Sequence, residues 1–150
     1  MGRPAFKRPE SVLVVVHADD RVLLLERCAP PGFWQSVTGS LLPDETPLDC
    51  ARRELVEETG FSPAGLPDLH LIQKFPIAVE WRHRYAPDVL ENVEHAFALN
   101  LPGARRPDLN PGEHLAYRWL KAQRAIAAAS SWTDRAAIRC ALSLPAPPDA

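Results

Sequence analysis

Two apolar runs near the start of the chain, Ser11–His17 (SVLVVVH) and Val22–Glu26 (VLLLE), flank the polar tetrapeptide Ala18-Asp19-Asp20-Arg21. Branched residues on both sides of a tight polar turn predict a β-hairpin. Ala29-Pro30-Pro31-Gly32 is a hard turn, after which Phe33–Val37 predicts a short strand ending at Gly39. Leu69–Phe75, Glu91–Leu101 and His114–Leu120 are three further strand candidates, each carrying aromatic or branched residues. Helical spacing instead marks Pro47–Thr59, where Leu48, Ala51 and Leu55 would form one apolar stripe. Thr46 is placed to cap that helix, Pro47 is tolerated at its first position, Asp49 completes a Thr-x-x-Asp pattern, and Gly60 follows the last turn. A second helix is expected at Thr133–Leu144, stopped by Pro145, and a shorter one at Lys121–Ala129. Pro145–Ala150 is expected to fray. Strands interleaved with so few helices predict a mixed α/β sandwich without the strict βαβ alternation of a doubly wound sheet.

The chain has 150 residues, a length that suits one domain spanning residues 1–150. With 46% hydrophobic and 24% charged residues, it has the balance of a folded globular chain and not of a disordered one. A net charge of −2 argues against a nucleic acid polymer or an anionic membrane as the main partner. It leaves room for a small phosphorylated molecule, which needs only a few local cations. Cys28, Cys50 and Cys140 are too isolated for a disulfide framework or a zinc cluster, so free thiols are expected. The run Val12–Val16 is too short for a signal segment or a membrane span, and Met1-Gly2-Arg3-Pro4 leads into charged residues. These features predict a cytoplasmic protein, and they leave open whether it is a monomer or homodimer.

The helix at Pro47–Thr59 carries the chemistry. Glu54, Glu57 and Glu58 stand at i, i+3 and i+4, one turn apart on a face beside the apolar stripe. Like charges at this spacing repel, and a hard divalent cation would neutralise them; carboxylate oxygens are the ligands Mg²⁺ prefers. A solvated acidic helix face is the simpler alternative.

The surrounding frame decides between these. Gly39, five residues, Glu45, seven residues, and then Arg53-Glu54-Leu55-Val56-Glu57-Glu58-Thr59-Gly60-Phe61 resembles the complete Nudix box, G-x5-E-x7-R-E-U-x-E-E-x-G-U. The box spans residues 39–61, with Phe61 aromatic where aliphatic residues are commoner. The resemblance implies a Nudix-type α/β/α sandwich with a mixed sheet, the box forming loop–helix–loop, and hydrolysis of a nucleoside diphosphate linked to another moiety. It extends to Phe6-Lys7-Arg8-Pro9, Phe33–Ser40, Arg82–Pro87, Glu113–Leu120 and Ser131-Trp132. Together these segments are similar to one branch of the family, the bacterial dihydroneopterin triphosphate diphosphatases of folate synthesis.

The family pattern implies roles for particular residues. Glu54, Glu57 and Glu58 would hold Mg²⁺, with Mn²⁺ as an alternative, and the Gly39 carbonyl would add an oxygen. Arg53 would orient a glutamate by a charge-assisted hydrogen bond, and Glu45 would be structural. Glu113, after the turn Asn110-Pro111-Gly112, would supply a further carboxylate as metal ligand or general base. Which of Glu57, Glu58 and Glu113 takes the proton from water is left open. Lys7, Arg27 and Thr38 would contact the phosphates and Ser131 the head group; Arg82-His83-Arg84 fits either a phosphate site or a solvated loop. Phe75 or Trp34 would stack on a ring or pack in the core. The five histidines show no zinc-ligand spacing. Competing substrates are dNTPs, dinucleoside polyphosphates and ADP-ribose; Pro76 is similar to a marker of ADP-ribose hydrolases, outweighed by the match along the whole chain. A silent Nudix-fold binding domain would typically have lost box glutamates, and all are present here.

Overall fold

The computed structural model describes residues 6–145; the expected fraying at 146–150 lies outside them. Seven strands and three helices follow in the order β1 (Glu10–Ala18), β2 (Arg21–Arg27), β3 (Trp34–Gln35), β4 (Val37–Ser40), α1 (Pro47–Thr59), β5 (Asp68–Pro76), β6 (Glu91–Asn100), β7 (His114–Lys121), α2 (Ala122–Ala128) and α3 (Trp132–Ala141). A 3₁₀ turn at Val79–Arg84 lies between β5 and β6.

Strand β1 organises the sheet. It runs parallel to β6 from Glu10↔Val93 to His17↔Asn100, and antiparallel to both β4 and the start of β2. β5 extends the sheet beyond β6, and β7 pairs with β2. The sheet is therefore mixed, as expected. β1 is apolar at every position from Val12 to Val16 because both of its faces are covered. Val12, Val14 and Val16 meet Ala51 and Leu55 of α1, while Leu13 and Val15 join Ile126 of α2 and Ile138 of α3 in a second core. Helices on both faces of one sheet make the α/β/α sandwich.

The local signals at α1 work as expected. Thr46 Oγ1 accepts the Asp49 N–H at 3.2 Å, and Gly60 closes the helix with φ of 75° while its N–H reaches Val56 O at 2.9 Å. A left-handed residue here favours glycine, and a Cβ would press on Asp108 at 3.1 Å.

Four expectations need correction. Leu48 is exposed; the buried face of α1 is Cys50, Ala51, Leu55, Glu58 and Thr59, so the stripe is rotated towards the acidic side. The strand foreseen at Phe33–Val37 divides into β3 and β4 at Ser36, whose N–H and hydroxyl turn to the Asp134 carboxylate at 2.6 and 2.7 Å. Gly39 lies within β4, so the box begins on a strand and its first loop starts only after Ser40. The last helix begins at Trp132 and ends at Ala141, before Pro145 can stop it. The other elements match within a residue or two, and all three cysteines are free. No helix among the described residues is long and apolar enough to cross a membrane.

Candidate active site

A cavity of about 750 Å³ opens where β4 and α1 meet the ends of β5 and β6 and the start of α3. Glu54, Glu58 and Glu113 lie in its lining, together with Gly39, Thr38, Lys7, Arg27, Phe75 and Ser131. Thus residues foreseen from seven separate segments converge on one space. Glu57 and Arg53 do not line it.

The local architecture explains the arrangement. Register puts Gly39 opposite Val12 in the sheet, and α1 lies across it. A Cβ at Gly39 would collide with the carboxylate end of Glu54, so the absence of a side chain is what admits that glutamate. Arg53 clamps the outer side of the helix. Its Nε and Nη2 donate to the two Glu45 carboxylate oxygens at 2.8 and 2.9 Å, and its Nη1 donates to Glu54 Oε1 at 2.7 Å and Glu57 Oε2 at 3.3 Å. Nη2 also reaches Ser40 O at 3.2 Å, tying the helix to β4. Glu45 accepts the Leu42 N–H as well, which makes it a strut of the loop, and the guanidinium holds its carboxyl down at about 2. Glu57, with a half-exposed side chain, stays on the rim with Arg53.

The inner carboxylates have the opposite electrostatics. Burial, then Glu54 and Glu113, push the Glu58 carboxyl well above the usual carboxylate range. Glu54 is also raised, chiefly by burial, although Arg53 opposes the shift. Glu58 Oε1 is buried without a hydrogen-bond partner. Clustered hard oxygen donors with an orphaned buried acceptor fit a divalent cation, which would satisfy that oxygen and favour the ionised forms. Among the described residues no trio of His, Cys, Asp or Glu is preassembled around an ion.

Cations stand at the mouth. Lys7 has its ammonium 6.0 Å from the Tyr85 ring, and burial followed by Arg84 and Arg27 lowers its pKa. Arg27 lies 5.6 Å over Phe33 and Arg84 4.5 Å over Trp81. Of the Arg82-His83-Arg84 run, only Arg84 lines the cavity. Trp34 is not in the lining; it packs against the second core with Arg118 stacked 4.9 Å over it.

Sequence reasoning assigned no role to His114, Trp81 or Glu94, which also line the cavity. His114 is buried beside Glu58, with Nε2 3.8 Å from Oε1; burial and Arg27 favour its neutral form. Trp81 is presented by a 3₁₀ turn that no periodicity announced. Glu94 lies in the apolar-looking β6, where a charged residue at a core-facing position was the available signal.

Residues 7–140 match the NUDIX domain. The chain belongs to the NUDIX family. It is 45% identical over 144 residues to the dihydroneopterin triphosphate diphosphatase of Escherichia coli K12, covering 92% of this chain and 95% of that protein. The enzyme of the same name from Haemophilus influenzae is 37% identical over 140 residues, covering 89% and 87% of the two chains. The solved structure of the E. coli dihydroneopterin triphosphate pyrophosphohydrolase superimposes with a TM-score of 0.81 at 44% identity, covering 91% of this chain and 96% of that one. For this Nudix chain, the α/β/α architecture inferred from the box is therefore the family's fold.

Proposed function

We propose that this Nudix hydrolase converts dihydroneopterin triphosphate to dihydroneopterin monophosphate and pyrophosphate, a step of folate biosynthesis, with Mg²⁺ or Mn²⁺ as its cofactor. The observation that carries this reading is the cavity itself: Glu54, Glu58 and Glu113 share it with Lys7, Arg27 and Arg84 in a chain 45% identical to a diphosphatase of that name.

Glu54, Glu58 and Glu113 would hold the cation, with Glu57 reaching it from the rim and the Gly39 carbonyl beside them. When bound, it supplies Lewis-acid stabilisation of phosphate oxygens and a water acidic enough to ionise near neutral pH. The chain's own residues do the rest. Lys7, Arg27 and Thr38 grip the polyphosphate and set one phosphorus in line with the attacking water. Arg53 does not reach the substrate; it is a positioning residue that fixes Glu54 and Glu57 on their helix face. As the water oxygen bonds to phosphorus, the bond to the bridging oxygen breaks, pyrophosphate departs with that electron pair, and a cavity carboxylate takes the proton. Glu113 suits this last task because it is exposed at the cavity edge and hangs from a turn. Phe75 offers a face for the ring, and Ser131, which caps α3 and lines the same cavity, would contact the head group. We place the enzyme in the cytoplasm, as a monomer or homodimer, acting on a small phosphorylated substrate.

An initial-rate panel tests the reading. Dihydroneopterin triphosphate should give the highest kcat/KM when compared with the four dNTPs, diadenosine polyphosphates and ADP-ribose in Mg²⁺. A clear preference for ADP-ribose or a dNTP would overturn it.

A further inference from the structure

The cavity is chemically polarised in a way the phosphate chemistry leaves unexplained. Lys7 has Arg27, Arg84 and Glu54 as its charged neighbours in the cavity, whereas the wall that carries Glu94, only 5% exposed, brings no cation to bear on it. Glu94 stands in the middle of the sheet, opposite Ser11 of β1 and Gln73 of β5. Its Oε1 is buried and has no hydrogen-bond partner. The neighbouring amides are turned elsewhere: Asn92 Nδ2 donates to Ser11 Oγ at 2.8 Å and Gln73 Nε2 to Thr133 O at 2.9 Å. The charged side chain that bears on Glu94 is Asp134, also negative, and it is engaged with Ser36.

A buried acid with an unused acceptor and no cation is costly unless a ligand completes it. A phosphate would be repelled there, so the wall addresses the other end of the substrate. The register row Ser40–Ser11–Glu94 crosses two strand spacings, placing Glu94 about 10 Å across the sheet from the residue after Gly39. Phe75 is two positions from Gln73 on the same face of β5 and lies opposite Asn92, so an aromatic side chain flanks the carboxyl.

We propose that Glu94 is a head-group-reading residue: its carboxylate accepts the two adjacent N–H donors of an amino-substituted heterocycle, the 2-amino group and N3–H of a pterin ring. The inference deepens the proposed function and rests on it for the identity of the ring. Two neighbouring donors match the two oxygens of one carboxylate in the same manner as a guanidinium. Burial, assisted by Asp134 and opposed by the Thr133 hydroxyl, pushes the free Glu94 carboxyl up to about 7; donors from the ring favour the ionised form.

The test uses pterin and lumazine, fluorescent rings that differ in carrying an amino or an oxo group at position 2 and lack any phosphate. Wild-type protein should bind pterin at least tenfold more tightly than lumazine in a fluorescence titration. Glu94→Gln, an uncharged isostere, should lose that discrimination, and its KM for dihydroneopterin triphosphate should rise about tenfold or more while kcat changes much less. Equal affinity of the wild-type protein for the two rings, binding of neither, or unchanged discrimination in Glu94→Gln would overturn the assignment. The ligand comparison on wild-type protein holds even if the variant misfolds. Failure of the proposed function is read separately, as absence of dihydroneopterin triphosphate turnover by wild-type protein.

Discussion

Arg53 grips both carboxylate oxygens of Glu45, at 2.8 and 2.9 Å, while the same guanidinium reaches Glu54 Oε1 at 2.7 Å. One residue thereby fixes the loop before α1 and a glutamate of the cavity. Arg53→Lys keeps the charge but loses the planar fork. Supporting residues of this kind are worth about 10–100-fold in activity, and we expect kcat to fall by that factor with the fold retained by circular dichroism.

The same pair predicts a pH dependence. Glu45 sits at about 2 in the folded chain, below its ordinary value of 4.5, so its contribution to stability is complete above 4.5 and is lost as pH falls from 4.5 through 2. Carbon-detected NMR titration should find this midpoint in wild-type protein and a return towards 4.5 in Arg53→Met. An ordinary midpoint in wild-type protein would show that the clamp does not persist in solution.

The two adjacent box glutamates should behave differently. Glu58 is buried in the cavity and Glu57 is paired with Arg53 on the rim. Glu58→Gln should lower kcat by about three orders of magnitude, since Lewis-acid catalysis supplies several kcal/mol and about 1.36 kcal/mol is tenfold. Glu57→Gln should cost less, by about tenfold or more. Equal losses in steady-state rates at saturating Mg²⁺ would place Glu57 inside the site.

Gly39→Ala tests the close approach of β4 and α1. Its Cβ would occupy the space of the Glu54 carboxylate, so Glu54 or the strand must shift. Mg²⁺ affinity measured by calorimetry should weaken at least tenfold, while the thermal midpoint moves by only a few degrees.

Much of this was legible in the sequence, for physical reasons that can be named. The caps of α1 and the two-sided burial of β1 are local signals, written in Thr46, Gly60 and the unbroken run Val12–Val16. That Glu54 and Glu58 share one face was legible because one helix turn separates them, and both line the cavity. The division of the strand at Ser36 was hidden, because its cause is Asp134, 98 positions away. The exposure of Leu48 was hidden too: three glutamates fix one face of α1, but the sheet selects which neighbouring face is buried. Glu94 could be read only as an anomaly until the fold placed it beside a cavity.

The Ser36–Asp134 bond is itself a stability determinant. Asp134→Ala would leave the Ser36 N–H and hydroxyl buried and unpaired, and each orphaned group costs about 1–3 kcal/mol. Urea unfolding should show a loss in that range or above. Asp134→Asn, which keeps an acceptor, should recover part of it.

The central claim is that the cavity cleaves a triphosphate into a monophosphate and pyrophosphate through its carboxylate-bound cation. The most direct measurement follows dihydroneopterin triphosphate turnover by ³¹P NMR, with Mg²⁺ and with the metal chelated. The account predicts dihydroneopterin monophosphate and pyrophosphate in equal amounts with Mg²⁺ and no turnover after chelation; orthophosphate as the first product, or an undiminished rate without metal, would contradict it.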